Sequence, residues 1–275
     1  MSAADYSLLD NPTISMNSFY PSRDWTATPQ GAEDHSIAVD DGVQLSCRFF
    51  PVAQPFQANQ PSPAENKNPT ILFFYGNGET AVGYDSIAPL YNRIGINFFV
   101  ADYRGYGRSG GDPTFNAMLS DAHQVLAGLG EVLKEGQYTG GIFVMGRSMG
   151  RHAAFEIAAN SPGEVKGMRV KGMIIESGRP SLGQFIYGLE ESAAFELETG
   201  YRAKVASISI PALVIHGELD NLAPLQDAVS MYESLASSDK RLLTIPGAGH
   251  NDLLYVGIDQ YFTAIKDFVT LAAAA

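Results

Sequence analysis

The chain has 275 residues, 45 % hydrophobic and 17 % charged, enough apolar material for a large core and too much for a disordered or coiled-coil chain. Eighteen Lys and Arg against thirty Asp and Glu give a net charge of -12, with no basic cluster to neutralise phosphates, which argues against nucleic acid as a partner. The single cysteine, Cys47, forms no internal disulfide or Cys-based zinc site; with no apolar stretch near the ~18 residues of a membrane span and no signal-peptide pattern at the start, a soluble, cytoplasmic protein is expected.

Residues 1–35 are set apart as an N-terminal extension, and the folded domain is expected over 36–275. Residues 36–50 alternate around Asp41-Gly42 and predict an antiparallel hairpin. Residues 51–69 hold five prolines and predict an extended surface loop. Short apolar runs then predict strands at 70–75, 97–102, 141–146, 171–176, 211–216 and 241–245, each apolar enough to be covered on both faces.

Helical stripes lie between them. Phe115, Met118, Leu119, Ala122, Val125, Leu126, Leu129, Val132 and Leu133 form one, and Leu225, Ala228, Val229, Tyr232 and Leu235 a second. Ile258, Tyr261, Phe262, Ile265, Phe268 and Val269 form a third. Strand and helix alternate, so a parallel α/β sheet with helices on both faces is predicted, with ligands at the carboxyl ends of the strands. The stretch 177–209 breaks the rhythm with an apolar, acidic helix pattern, and a short lid is expected at 179–209.

Gly146-Arg147-Ser148-Met149-Gly150 follows a strand-like run and opens an Ala-rich helix pattern. A strand, tight turn and helix in that order hold a serine hydroxyl above the sheet edge and put the Met149 amide at a helix start, where developing negative charge is favoured. Gly107-Arg108-Ser109-Gly110-Gly111 matches the same pattern but leads into no helix, so Ser109 is assigned to a loop.

A reactive serine needs a base and the base an orienting acid. Of five histidines, His250 lies in a glycine-rich loop after the last strand, from which an imidazole can reach over the sheet. His35 and His123 are read as structural, His152 as a helix-surface residue, and His216 as packing beneath the loop it introduces. Asp220 follows a neighbouring strand and is the preferred acid, although a helix-cap or turn role would suit it too. Glu218 and Glu176 are held in reserve. The loop Tyr75-Gly76-Asn77-Gly78-Glu79 can supply a second oxyanion donor, the Asn77 amide, and each donor would be worth roughly 3 kcal/mol at the transition state.

With these motifs and Asp102-Tyr103-Arg104-Gly105-Tyr106-Gly107, the chain resembles the α/β-hydrolase superfamily, in its lipase, esterase and peptidase-like branch, from about residue 36 to 270. The resemblance implies the α/β-hydrolase fold: a mostly parallel sheet of about eight strands with an N-terminal antiparallel hairpin, helices on both faces and a short lid. It also implies Ser148 as nucleophile, Asp220 as acid and His250 as base, in the chain order of that superfamily, with the Asn77 and Met149 amides as oxyanion hole. No metal or organic cofactor is required. The expected partner is a small-molecule acyl substrate, an ester or thioester of short to medium chain, in a cleft lined by Phe185, Ile186, Tyr187 or Leu189, with Tyr75 beside it.

Two positions depart from that pattern. Tyr75 stands where the family usually has His, and is expected to brace the loop. Arg151 stands where a small residue is common, and is expected to point outward rather than to face an acidic group of the substrate. Amide or peptide hydrolysis by the same triad is the alternative chemistry, and a non-catalytic binding scaffold the alternative class.

Overall fold

In the computed structural model, which describes residues 5–53, 65–160, 164–165 and 168–274, nine strands build the sheet. They are β1 (Glu33–Ala38), β2 (Gln44–Phe50), β3 (Thr70–Phe74), β4 (Asn97–Ala101), β5 (Ile142–Arg147), β6 (Glu164–Val165), β7 (Met168–Glu176), β8 (Ala212–Gly217) and β9 (Lys240–Ile245). Eight of them run in the order β1-β2-β4-β3-β5-β7-β8-β9, and β6 pairs antiparallel to β7 off this path. β1 and β2 are antiparallel, as are β2 and β4, and every later step along the path is parallel. This is the predicted α/β-hydrolase sheet. The hairpin turns where expected, with Asp41 and Gly42 at φ 62° and 70°, a region that Gly and Asp tolerate.

Seven α-helices accompany the strands among the described residues: α1 (Pro12–Ser18), α2 (Ala88–Arg93), α3 (Phe115–Glu135), α4 (Arg151–Asn160), α5 (Glu191–Ala206), α6 (Leu225–Ser234) and α7 (Leu253–Ala274). Helix α3 starts at Thr114, whose side chain accepts from the Ala117 amide, and it buries the predicted stripe almost completely. Phe143 in β5 and Phe268 in α7 meet edge to face, which ties the last helix to the central strand. Truncating a side chain of that size in such a core costs about 3–5 kcal/mol.

Two expectations about the core need correction. β9 is half-buried along most of its length, because it ends the sheet and has a neighbour on one side only. Ile258 is exposed, because α7 kinks at Gly257 and the stripe starts again beyond it at Tyr261. A Cβ on Gly257 would come 2.5 Å from Ile245, so the kink sits where the helix crosses β9 most closely. Of the loop predicted at 51–69, residues 54–64 lie outside the described residues.

The chain leaves β3 toward β4 on one side and enters β5 on the other, so the strand order reverses between β3 and β5. The carboxyl ends of strands at such a point form a crevice. The loops that carry Asn77, Ser148, Asp220 and His250 follow β3, β5, β8 and β9, and all emerge at that edge.

Candidate active site

Ser148 has φ 49°, in the left-handed region that a residue with a Cβ enters only under constraint. Its neighbours impose it. A Cβ at Gly146 would lie 2.6 Å from the Gly150 carbonyl oxygen, and a Cβ at Gly150 would lie 2.0 Å from the Phe74 carbonyl oxygen. Glycine at both places lets the turn close against β3 and run at once into a 3-10 turn (Ser148–Gly150) and α4. The Met149 N–H thus falls in the first turn, where amides lack intrahelical acceptors.

The Ser148 hydroxyl lies 2.9 Å from His250 Nε2, and His250 Nδ1 lies 2.7 Å from Asp220 Oδ2. The two carboxylate oxygens divide their work. Asp220 Oδ1 accepts from the Leu222 and Ala223 amides, so the turn-forming role weighed from sequence is real, and Oδ2 remains for the imidazole. Burial alone would push the Asp220 carboxyl up; the bonds from His250 and the two amides outweigh it and hold the group below the ordinary carboxylate range. The histidine loop is pinned by close approach at Gly217, where a Cβ would come 2.5 Å from the carbonyl oxygens of both Ala248 and Gly249. The reserve acids have other partners: Glu218 accepts from the Gly247 amide, and Glu176 from Arg147 and Tyr261.

Asn77, on the loop after β3, has a side chain with every polar atom in use. Its Nδ2 donates to the Ser18 carbonyl, and its Oδ1 accepts from the Tyr20 amide and the Tyr106 hydroxyl. Its own backbone N–H has no acceptor among the described residues. Residues 18–23, assigned from sequence to an extension, thus clasp the loop proposed to bind the oxyanion; Ser22 and Arg23 also bond Gly107 and Ser109. The sequence did hold a sign of order there. Asn11 caps α1 by accepting from the Thr13 amide, with Pro12 at the first helical position.

Tyr75, expected near the cleft, is wholly buried. Its hydroxyl donates to Asp102 at 2.8 Å, which agrees with the bracing role and leaves it no surface for a substrate. Phe185 is likewise buried, packed on Phe19, Phe115 and His152, while Tyr187 is 72 % exposed. The expected lid segment contains a 3-10 turn (Gly183–Ile186) and α5, and the Tyr201 ring of α5 packs on His152 and Phe155 of α4.

Two further readings are corrected. His152 is not on the helix surface: it is fully buried, its Nδ1 2.5 Å from the Tyr201 hydroxyl, and burial holds it well below the ordinary histidine value. Arg151 points inward, donating to the carbonyls of Ser148, Arg179 and Ser181. Burial pushes the Arg151 pKa down to about 10. Ser109 is buried in its loop and accepts from the Ser46 amide, as a structural serine should. His216 packs under its loop against the Ala223 carbonyl, and His123 meets Glu156. His35 belongs to β1, ahead of the predicted start of the hairpin.

Among the described residues no three His, Cys, Asp or Glu side chains gather as metal ligands, and no helix is long and apolar enough to cross a membrane. The family model for serine aminopeptidases of group S33 matches residues 65–185 and 193–254. The uncharacterized protein YfhR of Escherichia coli (strain K12) is 28 % identical over 248 residues, 88 % of this chain and 82 % of its own. A monoacylglycerol lipase of Mycolicibacterium smegmatis is 23 % identical over 261 residues, 79 % of this chain and 89 % of its own. The Pyrococcus furiosus esterase Pf2001 shares the fold with a TM-score of 0.69 at 17 % identity, over 91 % of this chain and 98 % of its own. The chain belongs to the S33 serine aminopeptidase family of the α/β-hydrolases.

Proposed function

We propose that the protein is a serine hydrolase that cleaves carboxylic esters or thioesters through an acyl-enzyme. His250 takes the Ser148 proton as Oγ attacks the substrate carbonyl, and the Asn77 and Met149 amides hold the oxyanion. The imidazolium, steadied by Asp220, hands that proton to the leaving alcohol or thiol. Water, deprotonated by His250, then attacks the acyl-Ser148 ester and frees the acid. A reducing, cytoplasmic setting suits a chain whose one cysteine is buried and unpaired.

What carries the proposal is the unbroken chain from Ser148 Oγ through both nitrogens of His250 to Asp220, at 2.9 Å and 2.7 Å. The family's name makes peptide hydrolysis the rival chemistry. An aminopeptidase needs a carboxylate to hold the substrate's ammonium group, and two carboxylates near the elbow, Glu79 and Glu176, are both engaged by Arg147. A panel of chromogenic acyl esters, thioesters and aminoacyl nitroanilides separates the two. Turnover of esters or thioesters with no anilide turnover is expected; faster anilide turnover would make the protein a peptidase instead.

A further inference from the structure

Arg147 is the last residue of β5, beside the candidate nucleophile, and its side chain is 12 % exposed. Its guanidinium reaches two loops and one strand end that chain order keeps far apart. Nη1 donates to Glu79 of the loop after β3, Nε donates to Glu176 at the end of β7 at 3.0 Å, and Nη2 donates to Asn251 Oδ1 at 2.7 Å. The same Nη2 lies 3.4 Å from the carbonyl oxygen of His250 itself.

Each contact is supported from behind. Glu79 Oε2 accepts from the Gly76 amide and the Tyr84 hydroxyl, so the carboxylate that meets Arg147 also shapes the loop bearing Asn77. Glu176 Oε2 accepts from the Tyr261 hydroxyl. Ser177 Oγ donates to the His250 carbonyl at 3.2 Å, a second hold on the same peptide. Gly76 makes room, since a Cβ there would lie 2.6 Å from Nη1.

We propose that Arg147 is a positioning residue: its guanidinium locks the His250 loop and the Asn77 loop to the Ser148 elbow, and so fixes the distances between base, nucleophile and oxyanion donors. This rests on the serine hydrolase proposal above. A planar fork with separate N–H groups aimed in several directions can bridge two loops and a strand end, whereas the single nitrogen of Lys supplies the charge but not the spread. Misplacing reacting groups by about 1 Å costs on the order of 100-fold in rate. Because the misplaced groups act on bound substrate at the chemical step, the loss should fall on kcat.

The test compares kcat and KM on one chromogenic ester for the wild type, Arg147→Lys and Asn251→Ala, with thermal unfolding measured in parallel. Arg147→Lys keeps the charge facing Glu79 and Glu176; Asn251→Ala changes an exposed side chain and leaves both ion pairs whole. Arg147→Lys should lower kcat by roughly 30–100-fold and Asn251→Ala by roughly 5–10-fold, with KM within about twofold of wild type. A triple variant, Arg147→Met with Glu79→Gln and Glu176→Gln, removes all three charges and should stay as slow as Arg147→Lys. Wild-type kcat in Arg147→Lys or in the triple variant would overturn the proposal, because Arg147 would then only neutralise its two carboxylate partners. A wild type inactive on every ester and thioester would instead defeat the hydrolase proposal on which this one stands.

Discussion

Replacing His250 by alanine should lower kcat for ester hydrolysis by on the order of 10⁶-fold, the size of effect that follows loss of the base from a catalytic triad. The hydroxyl of Ser148 is a poor nucleophile unless its proton leaves as the bond forms, and the imidazole 2.9 Å away is the group placed to take it. The fold should survive. The loop carrying His250 is held by its backbone, through Leu219 N–H on the Ala248 carbonyl and the Gly249 amide on Asp252, not by the ring. In the proposed mechanism nucleophile and base act as one unit, so the double variant Ser148→Ala, His250→Ala should be no slower than either single variant. Comparing kcat for the two single variants and the double variant checks this, and losses that multiply in the double variant would show that the two residues act separately.

Asp220→Asn should lower kcat by on the order of 10⁴-fold, because an amide presented to His250 Nδ1 favours the tautomer whose Nε2 carries a proton and cannot accept one from Ser148. The same change reads on stability. The native Asp220 carboxyl sits below its unfolded range, so its ionised contacts stabilise the fold above that range and are lost as pH falls through the lower native value. Denaturant unfolding of wild type and Asp220→Asn should therefore differ most near neutral pH. The gap should shrink as the pH drops below about 4, the region where an unperturbed aspartate protonates. A gap that grows toward acid would mean that Asp220 is protonated in the native protein and does not serve His250.

What could be read in the chain and what could not divides along sequence distance. The parallel strands show in β-branched and aromatic runs because both faces are covered, and β9 breaks the rule only because it is an edge. The elbow is legible because its constraint is local: two glycines within five residues and a helix pattern directly after them. Asp220 is ambiguous because one carboxylate does two jobs, holding its own turn with Oδ1 and meeting His250 with Oδ2.

The burial of His152, by contrast, depends on Tyr201, which is 49 residues away, and nothing near it in the chain announces an aromatic pocket. Arg151 reads as a surface cation because its acceptors are backbone carbonyls, which leave no trace in side-chain patterns. The network around Arg147 joins residues 79, 147, 176 and 251, and such a convergence exists only once the sheet order is known. The hold of residues 18–23 on Asn77 was hidden for the same reason, although the Asn11-Pro12 cap marked a helix nearby.

Treatment with a fluorophosphonate probe, followed by mass mapping of the modified peptide, asks the central question most directly. The wild type should gain one phosphonyl group, on Ser148, and the Ser148→Ala variant none. A probe that settles on another residue, or a folded wild type that stays unmodified while a known serine hydrolase beside it reacts, would contradict the claim that the side chains of Asp220 and His250 activate this alcohol.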